Sequence, residues 1–256
     1  MDNELAPVHL DRRKDGQDHE HESAYSRGFS LSIFQLLGWS CNMSCPHCCF
    51  AATSAGTDMS LDTVKAALKF ASERGDYLTI GGGEPTIHPQ FWEIVGLVLA
   101  GTALDDVVPL IVTNGKRKDI ALRLAALAKR GVLAVELSQD DFHSPISSEV
   151  VMAFQKKRQG YSFDRDTNDY RGIRTVERIL PVGRAIEENV ATEPDGCCCE
   201  DLLVDPEGRI WACGCKAIQL GTLWEPNIPE DWHPEWAHSE EAQEWLLSQE
   251  PEAMAA

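Results

Sequence analysis

Three cysteines carry the clearest chemistry in this chain, in the run Cys41-Asn42-Met43-Ser44-Cys45-Pro46-His47-Cys48, with three residues between the first pair and two between the second. Three thiolates on one loop can hold three irons of a [4Fe–4S] cube and leave the fourth iron without a protein ligand. A cube held by four cysteines is coordinatively closed and carries electrons; an open iron can bind and transform a ligand. Zinc competes for the same thiols. A structural zinc takes four ligands, usually as two separated pairs, and the neighbours His47 and Cys49 lie too close in sequence to reach round comfortably.

Such a loop must be framed by regular elements. Residues 29–37 are apolar, with β-branched and aromatic members, and run straight into the cysteines as a first strand. Ser60 caps a helix carrying Leu61, Val64, Leu68 and Ala71 on one face, with Gly75 as its stop. Residues 77–80 are a short buried strand that stops at Gly81-Gly82-Gly83-Glu84-Pro85. Pro89 suits the first turn of a second helix, with Phe91, Ile94, Val95, Val98 and Leu99 inward. A strand at 107–112 then ends at Thr113-Asn114-Gly115. A helix at 119–130, with Ile120, Leu124 and Leu127 on one side, stops at Gly131. A strand at 132–137 ends at Ser138-Gln139-Asp140-Asp141-Phe142-His143, followed by a helix at 147–156 and a strand at 172–180. Repeated strand and helix predict an α/β fold with a parallel sheet. Each motif falls just after a strand, at the carboxyl edge where such sheets place ligand sites.

In this order and at these intervals the four motifs resemble the radical S-adenosylmethionine (radical SAM) enzymes, over about residues 29–223. The resemblance implies a partial (β/α)6 TIM-like barrel. It is shortened here in its last third: residues 155–171 read as a loop, and 180–182 are all that remains for a sixth strand. It also implies that S-adenosylmethionine chelates the open iron of a [4Fe–4S] cluster on Cys41, Cys45 and Cys48. Reductive cleavage then gives a 5'-deoxyadenosyl radical that abstracts hydrogen from a substrate. Gly82, Gly83 and Glu84 would meet the methionine amino group. Thr113, Asn114, Ser138 and Asp140 would meet the ribose and methionine carboxylate region, and Arg184, in Gly183-Arg184-Ala185, would place backbone near the adenine. His47 fills a position that is often aromatic in the family and lies beside the adenine, or it is an exposed loop residue. Asp140 is equally suited to anchoring its loop, and His143 to substrate acid/base work or to a plain loop position. An electron donor such as flavodoxin or ferredoxin is implied.

A second cysteine group, Cys197, Cys198, Cys199, Cys213 and Cys215, surrounds a strand-turn-strand pattern at 204–210. It resembles the opening of the SPASM and twitch extensions, which carry an auxiliary [4Fe–4S] cluster, and it lacks the further cysteines of a full SPASM domain. Adjacent cysteines diverge in an extended chain, so the triplet cannot all bind one cube. A second cluster, zinc and no metal all stay open.

The 256 residues, 43% hydrophobic, fit one large domain with an appendage: a disordered lead at 1–26, the barrel at 27–190, the small cysteine-bearing β-hairpin extension at 191–224 and an acidic tail at 225–256. A net charge of -18 disfavours nucleic-acid partners. Nowhere does the chain hold the ~20 consecutive apolar residues of a membrane span, and its first residues lack the apolar region of an export signal. Nine cysteines then point to metal or redox chemistry in a reducing cytoplasm. Acids at 225, 230, 231, 235, 240, 241, 244, 250 and 252, with no Lys or Arg between, read as a solvated face, a frayed tail or a docking surface for a basic partner. Relatives with such extensions often modify peptides, so the expected substrate is a peptide or protein side chain. The rival readings are a small metabolite and a non-catalytic iron–sulfur or zinc protein.

Overall fold

Strand and helix alternate as the hydrophobic pattern requires: β1 (Ile33–Leu36), α1 (Leu61–Arg74), β2 (Leu78–Gly81), α2 (Phe91–Thr102), β3 (Leu110–Thr113), α3 (Lys118–Ala128), β4 (Ala134–Ser138), α4 (Ser148–Phe154) and β5 (Arg171–Arg174). A short α5 (Arg184–Glu187) leads to β6 (Leu202–Val204), β7 (Arg209–Trp211), β8 (Gln219–Thr222) and α6 (Glu240–Gln249). The computed structural model describes residues 33–74, 78–102, 108–156, 168–176, 178–193, 201–230, 232–233, 236 and 239–249. The expected lead at 1–26, Gly75 and the triplet Cys197, Cys198 and Cys199 lie outside them.

One sheet runs β5-β4-β3-β2-β1-β6-β7-β8. Every pair from β5 to β6 is parallel; β7 and β8 are antiparallel additions. Among the described residues the sheet is open, a partial barrel rather than a closed one. The helices between strands cover it, as parallel sheets need. Val64, Ala67, Phe70 and Ala71 of α1, Phe91, Ile94, Val95 and Val98 of α2, and Ile120, Ala121, Leu124, Ala125 and Ala128 of α3 are buried. The buried faces are turned slightly from the expected ones. Leu61, Leu68, Leu99 and Leu127 sit at the margins, because small alanines let the helix backbones come close to the sheet. Ser60 caps α1 as expected, its Oγ accepting from Thr63 N at 3.1 Å.

The last third departs from expectation. β5 stops at Arg174, since its sheet neighbour among the described residues, β4, ends at Ser138, the partner of Arg174. Residues 180–182 form no strand. The sixth parallel strand is β6, which takes the opposite edge beside β1, with Ile33 opposite Leu202. Leu202, Leu203 and Val204 are fully buried there, so β6 and the hairpin after it extend the same sheet. The hairpin at 204–210 forms as the turn residues predict. Asp205, fully buried, organises its turn by accepting from Glu207 N, Arg209 N, Arg209 Nε and Trp211 Nε1 at 2.6–3.1 Å. Asp205→Ala leaves these donors without their acceptor and is expected to cost about 3 kcal/mol in a urea unfolding experiment.

The acidic segment is not a tail throughout. α6 packs on the core through Ala242 and Trp245, beside Trp236, because apolar residues recur among the acids. Among the described residues no helix is long and apolar enough to cross a membrane.

Candidate active site

The cysteine loop leaves the carboxyl end of β1 and folds back on itself. Cys41 N donates to Thr53 O (2.8 Å), Thr53 N to Trp39 O (3.1 Å) and Trp39 N to Thr57 O (2.8 Å). Cys41, Met43 and Ala52 form a small buried cluster, and Cys45 and Cys48 pack on it, so the three thiols face one another's surroundings. Burial pushes the Cys41 thiol up, with Glu84 and Cys48 adding to the effect. Burial, then the neighbouring Cys41 and Cys48, pushes Cys45 up to about 11. Cys41, Cys45 and Cys48 pack into one small group of side chains on this loop, and three thiols so grouped are a donor set that suits a soft, thiolate-bound metal cluster.

Two further segments hold this loop. Arg184 N donates to Cys48 O (3.0 Å), and its guanidinium donates to Cys45 O (2.9 Å) and Ala52 O (2.5 Å). The Arg184 side chain thus clamps the cysteine loop. Gly183 has φ +59, and a Cβ there would lie 2.5 Å from the Cys49 carbonyl carbon and 2.6 Å from Cys48 O, so glycine is required. On the other side, Gly83 N donates to Gly38 O and Glu84 N to Ser40 O, both at 2.8 Å. A Cβ on Gly83 would overlap the Ser40 carbonyl oxygen and come within 3.2 Å of Cys41 Cβ.

The Glu84 carboxylate is buried and accepts four hydrogen bonds from protein donors. Oε1 accepts from Thr86 N (3.2 Å), Thr86 Oγ1 (2.5 Å) and Thr113 Oγ1 (2.6 Å), and Oε2 from Asn114 N (2.7 Å). Burial raises its pKa against the lowering effect of those donors. Glu84 braces β2 to β3, and Thr113, also buried, donates its hydroxyl to that brace. Glu84→Gln puts an amide N–H against these donors and is expected to destabilise the fold by about 2 kcal/mol, read by chemical denaturation. Asn114 likewise serves the loop: Nδ2 donates to Asn42 Oδ1 (2.9 Å) and lies 3.9 Å from Cys41 Sγ.

Ser138 is half-buried at the end of β4, with no hydrogen bond from its hydroxyl among the described residues. Asp140 does anchor its loop, Oδ1 accepting from Phe142 N (2.9 Å), His143 N (3.2 Å) and His143 Nδ1 (2.7 Å). Burial raises its pKa, but His143 and the backbone donor outweigh it and the net shift is downward. His47 packs against Phe142 and His143, with ring centroids 5.1 and 5.0 Å away.

Three supports carried no signal in the sequence. Lys116 Nζ donates to Asn42 O (2.7 Å), Glu207 accepts from Trp39 Nε1 (3.2 Å), and Lys216 Nζ lies 4.3 Å from the Trp39 ring centroid. Each partner is more than 70 residues away, and only the fold joins them. Of the second cysteine group, Cys213 and Cys215 lie side by side over a turn, with Cα atoms 5.5 Å apart.

Comparison with known proteins agrees with this geometry. The model of the Radical SAM superfamily matches residues 39–180. Mycofactocin maturase MftC of Mycobacterium tuberculosis is 34% identical over 110 residues, 40% of this chain and 27% of that protein. MftC of Mycolicibacterium smegmatis is 29% identical over 132 residues, 49% of this chain and 32% of its own. The match thus spans about a third or less of the curated relatives' length. The crystal structure of BtrN in complex with AdoMet and 2-DOIA shares the fold, with a TM-score of 0.53, 15% identity and 85% of each chain covered. With its family match covering more than half the chain, its three clustered thiols at the carboxyl edge and its open parallel sheet, the protein belongs to the radical SAM superfamily, enzymes that use a [4Fe–4S] cluster and S-adenosylmethionine.

Proposed function

We propose that the chain reductively cleaves S-adenosylmethionine at a [4Fe–4S] cluster held by Cys41, Cys45 and Cys48, and that the 5'-deoxyadenosyl radical abstracts hydrogen from a peptide or protein side chain. The observation that carries this is the three-thiol loop at the end of β1, fixed on one side by Arg184 and on the other by Gly83 and Asn114. Three thiolates leave one iron for a ligand. Gly82 and Gly83 bring main chain beside the loop, so backbone groups border that ligand. Ser138, at the end of β4, offers it a hydroxyl. Asn114 and Lys116 fix the Asn42 peptide and so hold Cys41 in place. A flavodoxin or ferredoxin supplies the electron. The peptide reading is supported by the name of the relatives, which are maturases.

Anaerobically reconstituted protein with dithionite is expected to form 5'-deoxyadenosine from S-adenosylmethionine; none formed overturns the proposal. Deuterium carried from a labelled peptide pool into 5'-deoxyadenosine marks a peptide substrate. Label carried only from a small-metabolite pool assigns that class instead.

A further inference from the structure

We propose that His47, Asp140 and His143 form a mononuclear divalent-metal site beside the cysteine loop, separate from the cluster. One ligand atom from each lies within 4.8 Å of the others, close enough for one ion to reach all three after small side-chain shifts. The Asp140 side chain is only 7% exposed. Its Oδ1 holds His143, and its Oδ2 is buried with no hydrogen-bond partner among the described residues. His47 Nδ1 is buried and unpartnered too. Buried polar atoms without partners are costly, and a cation held by the trio gives them one. The 2.7 Å contact between Asp140 Oδ1 and His143 Nδ1 holds these two side chains together at the site.

Two imidazoles and one carboxylate suit a first-row divalent ion such as Fe(II), Mn(II) or Zn(II), and these nitrogen and oxygen donors differ from the cluster's thiolates. The ligands come from two loops, His47 from the one after β1 and Asp140 and His143 from the one after β4. An ion there would pin the β4 loop to the cysteine loop and fix one wall of the ligand site. Sequence distance hid this: His47 is followed by 92 residues before Asp140.

The test is titration of the full, cluster-reconstituted and chelator-washed chain with manganese(II) chloride, free ion being read by electron paramagnetic resonance. One ion per chain is expected. Asp140→Asn and His143→Gln should each weaken it at least tenfold, comparable to the loss from altering a metal's supporting shell, with iron content and circular dichroism unchanged. In the wild-type chain, which needs no variant, the ring resonances of His47 and His143 should broaden first as Mn(II) is added. No bound ion, or broadening elsewhere, overturns the site. So does Mn(II) affinity unchanged in variants that lose affinity for S-adenosylmethionine, which would give the trio to the nucleoside. Because binding is read without turnover, this outcome is independent of whether the chain cleaves S-adenosylmethionine.

Discussion

Cys45→Ala is expected to abolish 5'-deoxyadenosine formation and to remove the cluster, with iron content falling to background. What Cys45 gives the fold is its carbonyl, which accepts from Arg184 at 2.9 Å and from Cys48 N at 3.2 Å. Alanine keeps both. The variant should therefore melt close to the parent when both are cluster-free, while losing a soft ligand that alanine cannot replace. Cys41→Ala and Cys48→Ala should behave alike. Cys49→Ala should keep iron and activity, because Cys49 lies outside the three-thiol run of Cys41, Cys45 and Cys48. Full cleavage activity in Cys45→Ala, or loss of the cluster in Cys49→Ala, reassigns the ligands.

Gly83→Ala is expected to damage both the fold and the cluster. The added Cβ would sit 2.5 Å from the Ser40 carbonyl carbon and 3.2 Å from Cys41 Cβ. These are main-chain and root atoms that no rotamer change can move. Relief requires β2's end to back away, stretching the 2.8 Å bonds from Gly83 N to Gly38 O and from Glu84 N to Ser40 O. Overpacking of this kind costs about 1–3 kcal/mol, and each weakened hydrogen bond adds about 1 kcal/mol. We expect a loss of about 3 kcal/mol in urea unfolding and a reduced iron content. A residue at Gly83 that merely bordered the ligand would crowd the ligand alone and spare the cluster. The contact with Ser40, one residue before Cys41, couples the two. Normal stability and iron with weakened S-adenosylmethionine binding would restore the simpler view.

The cysteines, the α/β class and the four β–α boundaries were legible without coordinates, because they rest on local rules. Thiol spacing is set by chemistry, strand and helix by the periodicity of apolar residues, and the α1 cap by one serine. The Asp205 turn was legible for the same reason. What tertiary structure decided were matters of long-range pairing. β6 lies beside β1 because that edge of the sheet was open and Leu202, Leu203 and Val204 could be buried there. No local pattern distinguishes that from a place after β5. The partners of Glu84 and Arg184 are likewise invisible along the chain: Glu84 spans 29 residues to Thr113, and Arg184 spans 139 to Cys45. Acids in the last segment masked the tryptophans and alanine that dock α6. His47, Asp140 and His143 were each ambiguous alone, and their meeting depends on two loops that only the parallel order of β1 to β4 brings to the same edge.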